Sequence, residues 1–349
     1  MINKNEYFMK YFHIISFLIF FVLMGCQAKR QTPDDVINRY YRNGKFNGSI
    51  LIAHKNQIVI DTAFGYRDFN TKAALTKETP LYIASLSKAF TAVAISLIVE
   101  KGLLSFDDKI EKLIDNLPAY FHGITIKQLL NHTSGIRDYE NLLIKEGLTN
   151  SDVIHWLHSQ DGLAFEPGTK FQYSNSSYII LALIIENISK MSYGQFLTTN
   201  IFKPLQMSHT TVYEENASIP DRAIGYNRNK IVDDYSILTT GDGGIFSTAN
   251  DLYKLDKALR AGQLLSKKST ELLYQTPILK NGSNSKYGLG WFIEKSSGVM
   301  IAQHTGGLAG FRSLFWRDLK NNNTIIALTN QGDAFPIVDF LNDIKNTLK

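Results

Sequence analysis

Ser85-Leu86-Ser87-Lys88 heads an apolar run from Ala89 to Val99 that stops at Gly102. Residues three apart on a helix share a face, so a serine in the first turn and a lysine one turn on can touch. A serine hydroxyl becomes a nucleophile when a base takes its proton, and a lysine can be that base where burial disfavours its charge. The sequence supplies the burial. Lys88 continues along its face into Ala92, Ile95 and Val99, with Leu86, Phe90, Val93 and Leu97 close by, so the helix is apolar nearly all round and belongs inside. Its free N-terminal N–H groups and positive dipole end suit the oxyanion of a tetrahedral intermediate. Ser283-Asn284-Ser285-Lys286 repeats the spacing, but it stands among Gly, Asn and Ser with no apolar period behind it, and reads as a loop.

Two further stretches carry groups of the right kind. Tyr173-Ser174-Asn175 stands in a loop before a helix that starts near Ser176. A tyrosine can shuttle a proton, and an asparagine can both orient a lysine and bind a substrate amide; the structural alternative is a packed Tyr and an N-cap Asn. His304-Thr305-Gly306-Gly307 ends a strand. There His and Thr can donate to a substrate carboxylate or carbonyl, and the glycines let substrate backbone come close.

Taken together, in this order and spacing, the three stretches resemble the active-site set of the penicillin-recognising serine hydrolases: SxxK at Ser85–Lys88, YxN at Tyr173–Asn175 and the KTG/HTG element at His304–Gly306. The YxN form is similar to the class C β-lactamase branch, which also holds low-molecular-weight penicillin-binding proteins, D-aminopeptidases and esterases. Asn131 to Ile136, Gly243 to Leu252 and Tyr287 to Trp291 also resemble that branch. The resemblance implies an α/β (α+β) fold of the β-lactamase/transpeptidase type, with an antiparallel sheet flanked by helices and an inserted all-helical subdomain. It implies that Ser85 attacks a carbonyl to form an acyl-enzyme. Lys88 and Tyr173 would share the acid and base work, Asn175 would position Lys88 and the substrate amide, and the N–H groups of Ser85 and Gly307 would form the oxyanion hole. His304, Thr305, Gly306 and Gly307 would bind substrate. Efficient class C β-lactamases carry Lys where this chain has His304; His there resembles D,D-peptidases and relatives that act on D-amino-acid peptides.

The elements that must position these groups are legible in outline. Thr32-Pro33-Asp34-Asp35 opens a helix to about Asn43, and Gly48–His54 with Gln57–Tyr66 reads as a hairpin turning at Asn56. From Ser105 to about Ile231 the pattern is almost wholly helical, with capping boxes at Thr125–Gln128 and Ser192–Gln195. Asn131 to Gly135 reads as the turn that closes one of these helices, its polar residues serving as caps. Gly241-Asp242-Gly243-Gly244 reads as close backbone packing, followed by a Thr248-capped helix to about Ala261. Strands are expected at Gly290–Glu294, Val299–His304, Ser313–Arg317 and Thr324–Thr329, and a closing helix at Ile337–Leu348. Residues 34–104 and 232–349 then make an α/β half, and 105–231 a helical half.

The chain has 349 residues, of which 44% are hydrophobic and 20% charged, the composition of a globular protein with a large core. Residues 1–25 stand apart. Lys4 and Lys10 precede an apolar stretch from Ile14 to Met24 that is short for a bilayer span and reads as a signal peptide. It ends at Leu23-Met24-Gly25-Cys26, which resembles a bacterial lipobox, with residues 26–33 as tether. Cys26 is the single cysteine, so no internal disulfide can form, and lipidation explains its place. The alternative is an uncleaved anchor; either way the protein is expected to be a membrane-tethered, extracytoplasmic lipoprotein of the cell envelope. Removing residues 1–25 takes away two Lys and one Glu, so the formal charge goes from +5 to +4. No basic block or aromatic-interleaved basic run suggests nucleic acid. His155 and His158 lie one turn apart with no carboxylate to complete a metal site, and the chemistry calls for no cofactor or metal.

The function expected is therefore an acyl-serine hydrolase acting on D-amino-acid peptides of the cell-wall type, with a class C-like β-lactamase or carboxylesterase as the alternative. The reading from another class is a catalytically weak lipoprotein that binds peptidoglycan or a partner. A classical α/β-hydrolase is set aside because no GxSxG occurs.

Overall fold

The computed structural model describes residues 31–143, 145–214, 218–296 and 298–348. The expected signal peptide and Cys26 lie outside the described residues. Thr32 caps helix α1 (Pro33–Arg42) in a full capping box with Asp35. Strands β1 (Gly48–His54) and β2 (Gln57–Phe64) follow as the expected hairpin, with Lys55 and Asn56 at φ 49° and 65° in a turn whose twist matches the strands. β2 stops short of Tyr66 because Gly65 turns the chain at φ 83°, where a Cβ would lie 1.8 Å from Asn47 Oδ1. Tyr66–Asp68 (β3) pairs instead with Ala73–Ala74 (β4).

Leu81–Tyr82 (β5) leads through a 3-10 turn, Ala84–Leu86, into helix α2 (Ser87–Glu100). The middle of the chain holds α3 (Ile126–Leu130), α4 (Asn150–His158), α5 (Asn175–Ser189) and α6 (Tyr193–Leu197). It is less helical than its sequence pattern predicts: Thr211–Val212 (β6) is a strand, paired with Ile245–Ser247 (β7), which also pairs with β5. Two paired residues are too few to show a period of two, so β6 left no pattern to read. The rest is α7 (Ala249–Ala261), α8 (Lys267–Leu273), β8 (Phe292–Ser296), β9 (Val299–Leu308), β10 (Phe311–Asp318), β11 (Asn323–Thr329) and α9 (Ile337–Thr347).

Both ends of the chain meet in one six-stranded sheet of order β2-β1-β11-β10-β9-β8, antiparallel throughout. Alternation along the strands gives it two buried faces. Ile50, Ile52, Leu314, Trp316, Ile325 and Ala327 pack under α1 and α9, against Val36, Ile37, Phe340 and Ile344. Leu51, Ala53, Phe315, Ile326 and Leu328 pack on the other side in the larger core that contains α2 and α5. This burial is why α2 tolerates an apolar surface all round and why a lysine can be held inside it. β8 pairs with β9 only from Val299 to Gln303, so His304 to Leu308 have a strand neighbour on the β10 side alone.

Candidate active site

Lys88 is fully buried in the first turn of α2, and its Nζ meets three oxygens: Ser85 Oγ at 3.1 Å, Asn175 Oδ1 at 2.7 Å and the main-chain carbonyl of Asp242 at 2.8 Å. Ser85 itself lies in the 3-10 turn rather than in α2, one residue after Ala84, whose φ is +49°. A positive φ at a non-glycine residue is strained, and such strain collects where a side chain must be aimed. The turn is fastened on both sides: Ile83 N–H donates to Ile245 O at 3.0 Å, and Ile83 O accepts from Ser313 Oγ at 2.7 Å.

Asn175 is the first residue of α5, and Ser174 rather than Asn175 is the cap, its hydroxyl accepting from Ser177 N–H. Asp138, a residue the sequence pattern did not single out, fixes the asparagine. Its carboxylate accepts from Asn175 N–H at 2.8 Å, from Asn175 Nδ2 at 3.0 Å and from Ser176 N–H at 3.2 Å. With Nδ2 turned to a carboxylate, the amide oxygen must face Lys88. Burial raises the Asp138 carboxyl to about 6, against the lowering effects of the Ser176 N–H and the Lys88 charge.

The Asp242 carbonyl reaches Lys88 because its neighbours have no side chains. At Gly241, φ 94°, a Cβ would sit 2.3 Å from Tyr178 O, and at Gly243 it would meet the Tyr82 hydroxyl at 2.5 Å. The Gly-rich run is thus the close backbone packing expected. The Asp242 carboxylate accepts from Tyr139 OH at 2.5 Å; burial raises its pKa, against the lowering effect of the Lys88 charge.

The Tyr173 ring lies 4.9 Å from Lys88 Nζ and 4.3 Å from the His132 ring. Its hydroxyl is buried and makes no hydrogen bond among the described residues. His132, in the turn after α3, has φ +59° and accepts through Nδ1 from Ser174 N–H at 3.1 Å. The turn expected at Asn131–Gly135 is present, but one of its residues also braces the loop between Tyr173 and Asn175. His155 and His158 stand exposed at the end of α4, away from these groups.

His304, Thr305, Gly306 and Gly307 all lie within β9, in register with Phe315, Leu314, Ser313 and Arg312. A Cβ on Gly306 would lie 2.4 Å from Ile83 O and 2.9 Å from Ser85 N, so this is where the strand passes the nucleophile turn. Ser85, Tyr173, Asn175, Asp242 and Gly307 share a cleft of 170 Å³. Three larger hollows among the described residues do not include Ser85 in their lining. His304 is not in that cleft. Its ring is buried: Nδ1 is 2.6 Å from Thr305 O and Nε2 is 3.0 Å from Tyr287 OH. A carbonyl only accepts, so Nδ1 carries the proton and Nε2 accepts from the tyrosine. Burial, and secondarily the Lys88 charge, push the imidazole down to about 3. The imidazole that sequence reasoning aimed at a substrate carboxylate is thus held neutral, with both nitrogens engaged by the protein.

A serine hydroxyl against a buried amine that two further acceptors hold, beside a tyrosine and a strand edge, fits a serine acyl-transfer site. The beta-lactamase family model matches residues 34–344, and the chain belongs to that family and is a serine hydrolase. A penicillin-binding protein of Bacillus subtilis is 34% identical over 331 residues, 87% of this chain and 72% of its own. The solved penicillin-binding protein of Bacillus halodurans has a TM-score of 0.79 at 25% identity, covering 88% of this chain and 98% of its own. The octameric penicillin-binding protein homologue of Pyrococcus abyssi has a TM-score of 0.77 at 26% identity, covering 88% and 74%.

Proposed function

We propose that this chain is a membrane-anchored, extracytoplasmic hydrolase that cleaves D-amino-acid peptides of the cell-wall type through an acyl-serine. The observation that carries this is the set of three oxygens around Lys88 Nζ. Two of them, an amide oxygen and a carbonyl, can only accept, so each holds one N–H of Lys88. In the neutral amine the remaining position is a lone pair, aimed at Ser85 Oγ. Lys88 then takes the hydroxyl proton as Oγ bonds to the substrate carbonyl carbon, and the oxyanion is received by the N–H groups of Ser85 and Gly307. As the C–N bond breaks, Tyr173, with Lys88, returns the proton to the leaving amine. Water, deprotonated by the same groups, releases the acid and restores Ser85.

The buried, neutral His304 supports a peptidase over an efficient β-lactamase, because no fixed ammonium stands at that position. Cys26 in its lipobox-like context supports the anchor. Among the described residues no helix is long and apolar enough to cross a membrane.

The test is the intact mass of a soluble form starting at Gln27 after incubation with a penicillin, a fluorophosphonate and a peptide ending in D-Ala-D-Ala, each repeated on Ser85→Ala. A persistent penicilloyl adduct that vanishes in Ser85→Ala, with release of D-Ala from the peptide, is expected. Labelling by the fluorophosphonate alone would turn the substrate assignment toward esters or other amides. No Ser85-dependent adduct at all would leave a binding protein.

A further inference from the structure

The two oxygens that hold Lys88 toward Ser85, Asn175 Oδ1 and the Asp242 carbonyl, come from separate parts of the chain, yet one dipeptide, Asp138-Tyr139, fastens both. Asp138 takes the Asn175 amide nitrogen, and the next residue, Tyr139, donates from its hydroxyl to Asp242 Oδ2 at 2.5 Å. The two are also tied to each other, the Asp138 carboxylate accepting from the Tyr139 N–H at 3.0 Å. They lie in the irregular stretch between α3 and a 3-10 turn at Glu140–Leu142, and Tyr139 is buried.

The Asp242 carbonyl needs such a fastening. Asp242 is the one residue with a side chain in Gly241-Asp242-Gly243-Gly244, and glycines leave the main-chain dihedrals free to turn. The ends of the run are held: Gly241 O accepts from Thr91 Oγ1 at 2.6 Å, and Gly244 N–H donates to Tyr82 OH at 3.3 Å. Between them, the bond from Tyr139 fixes the residue whose carbonyl faces Lys88. A carboxylate accepts, so Tyr139 spends its one proton on Asp242, and the Thr239 hydroxyl, 3.2 Å from Tyr139 OH, donates to the tyrosine oxygen. Burial, and then the Asp242 charge, push the tyrosine hydroxyl well above its ordinary value, which keeps it a donor. Asp242 Oδ1 is buried and makes no hydrogen bond among the described residues. A buried carboxylate stripped of its donor is costly, and in a run of glycines the ready relief is to turn the main chain, carbonyl included.

We propose that Asp138-Tyr139 is a single brace for the amine of Lys88, in which Tyr139 is a positioning residue: it holds the Asp242 carbonyl on Lys88 while Asp138 holds the Asn175 amide. This rests on the acyl-serine reading above and deepens it. The direction of the Lys88 lone pair toward Ser85 is set from one point in the chain, outside the SxxK, YxN and HTG stretches.

The test follows the rate of Ser85 labelling by a fluorophosphonate, beside a melting curve, on the soluble form starting at Gln27 in wild type, Tyr139→Phe, Asp242→Ala and Asp242→Asn. Tyr139→Phe keeps the ring and is expected to slow labelling by roughly 10- to 100-fold, the scale on which a misplaced reacting group costs rate. Asp242→Ala should slow it alike, and Asp242→Asn should recover a large share of the rate, because an amide oxygen still accepts from Tyr139. Tyr226→Phe is the control. It breaks a tyrosine–aspartate bond of 2.6 Å, to Asp68, between residues that do not line the Ser85 cleft, and should lower the melting temperature without slowing labelling. Labelling of Tyr139→Phe at the wild-type rate, or Asp242→Asn and Asp242→Ala behaving alike, overturns the brace and leaves the hydrolase reading intact. A Tyr226→Phe as slow as Tyr139→Phe overturns it too, since the effect would then be general destabilisation. If Tyr139→Phe does not fold, the two Asp242 variants decide. A wild type that is not labelled at Ser85 removes the brace together with the acyl-serine reading beneath it.

Discussion

Asp138 holds Asn175 by both its main-chain N–H, at 2.8 Å, and its side-chain Nδ2, at 3.0 Å, and in doing so decides which atom of the amide meets Lys88. The oxygen that Lys88 needs is presented because the nitrogen is already taken.

Asp138→Asn tests this directly. The new side chain brings an NH2 group where a second acceptor stood, so either it or Asn175 must turn, and a turned Asn175 offers N–H to Lys88. Acylation of Ser85 is expected to slow by roughly 10- to 100-fold, the scale of one charge-assisted hydrogen bond. Stopped-flow acylation beside a melting curve separates this from unfolding. Wild-type acylation in a folded variant would show that Asp138 does not set the amide.

Tyr173→Phe separates chemistry from stability. The Tyr173 hydroxyl is buried without a partner among the described residues, so its removal loses no hydrogen bond to them and sheds a desolvation cost. The melting temperature is expected to hold or rise. Turnover is expected to fall by about 10²- to 10⁴-fold, the contribution of a positioned proton-transfer group. A drop in stability with unchanged turnover would make Tyr173 a packing residue.

The contrast between Lys88 and its partners explains how much of the site was legible beforehand. Ser85 and Lys88 could be paired because three-residue spacing is a local property and the apolar run announced burial. Asp138 could not: it reaches Asn175 across 37 residues from a loop, a distance that local pattern does not span. Asp242 contributes a main-chain carbonyl across 154 residues, so its residue type carries no signal, although the glycines around it mark a place where backbones meet. His304 was found on its strand, but which way its ring points depends on which face of β9 meets Tyr287, and one strand in isolation has two equivalent faces.

The buried imidazole has a consequence for acid stability. His304 sits at about 3 in the folded protein against an ordinary 6.5, so between those values the unfolded chain binds the extra proton. Stability from this group is therefore complete above 6.5 and lost as pH falls toward 3, with a slope of at most about 1.4 kcal/mol per pH unit. His132, also lowered by burial, acts in the same sense. Asp138, raised from 3.8 to about 6, acts in the opposite one, weakening the fold as pH rises through that window. His304→Gln should therefore flatten the rise of melting temperature between pH 4 and 6.5 (about one proton's worth). An unaltered slope would mean that the ring is not held neutral.

Gly306 and Gly307 are neighbours with different reasons to be glycine, and alanine distinguishes them. At Gly306 the added Cβ meets main-chain atoms, Ile83 O at 2.4 Å and Ser85 N at 2.9 Å, as well as Ser313 Oγ at 2.5 Å. Backbone cannot step aside as a side chain can, so β9 must move off the nucleophile turn. The expected cost is about 1–3 kcal/mol, as for an overfilled core, and misplacement of Ser85 by about 1 Å should slow acylation by roughly 100-fold. At Gly307 the three atoms nearest the Cβ all belong to the Arg312 side chain, which can shift, so Gly307→Ala should fold within about 1 kcal/mol of wild type and slow Ser85 labelling less than Gly306→Ala does. Melting curves and Ser85 labelling rates on the two variants give the comparison. Equal behaviour of both would mean that β9 does not press on the turn that carries Ser85.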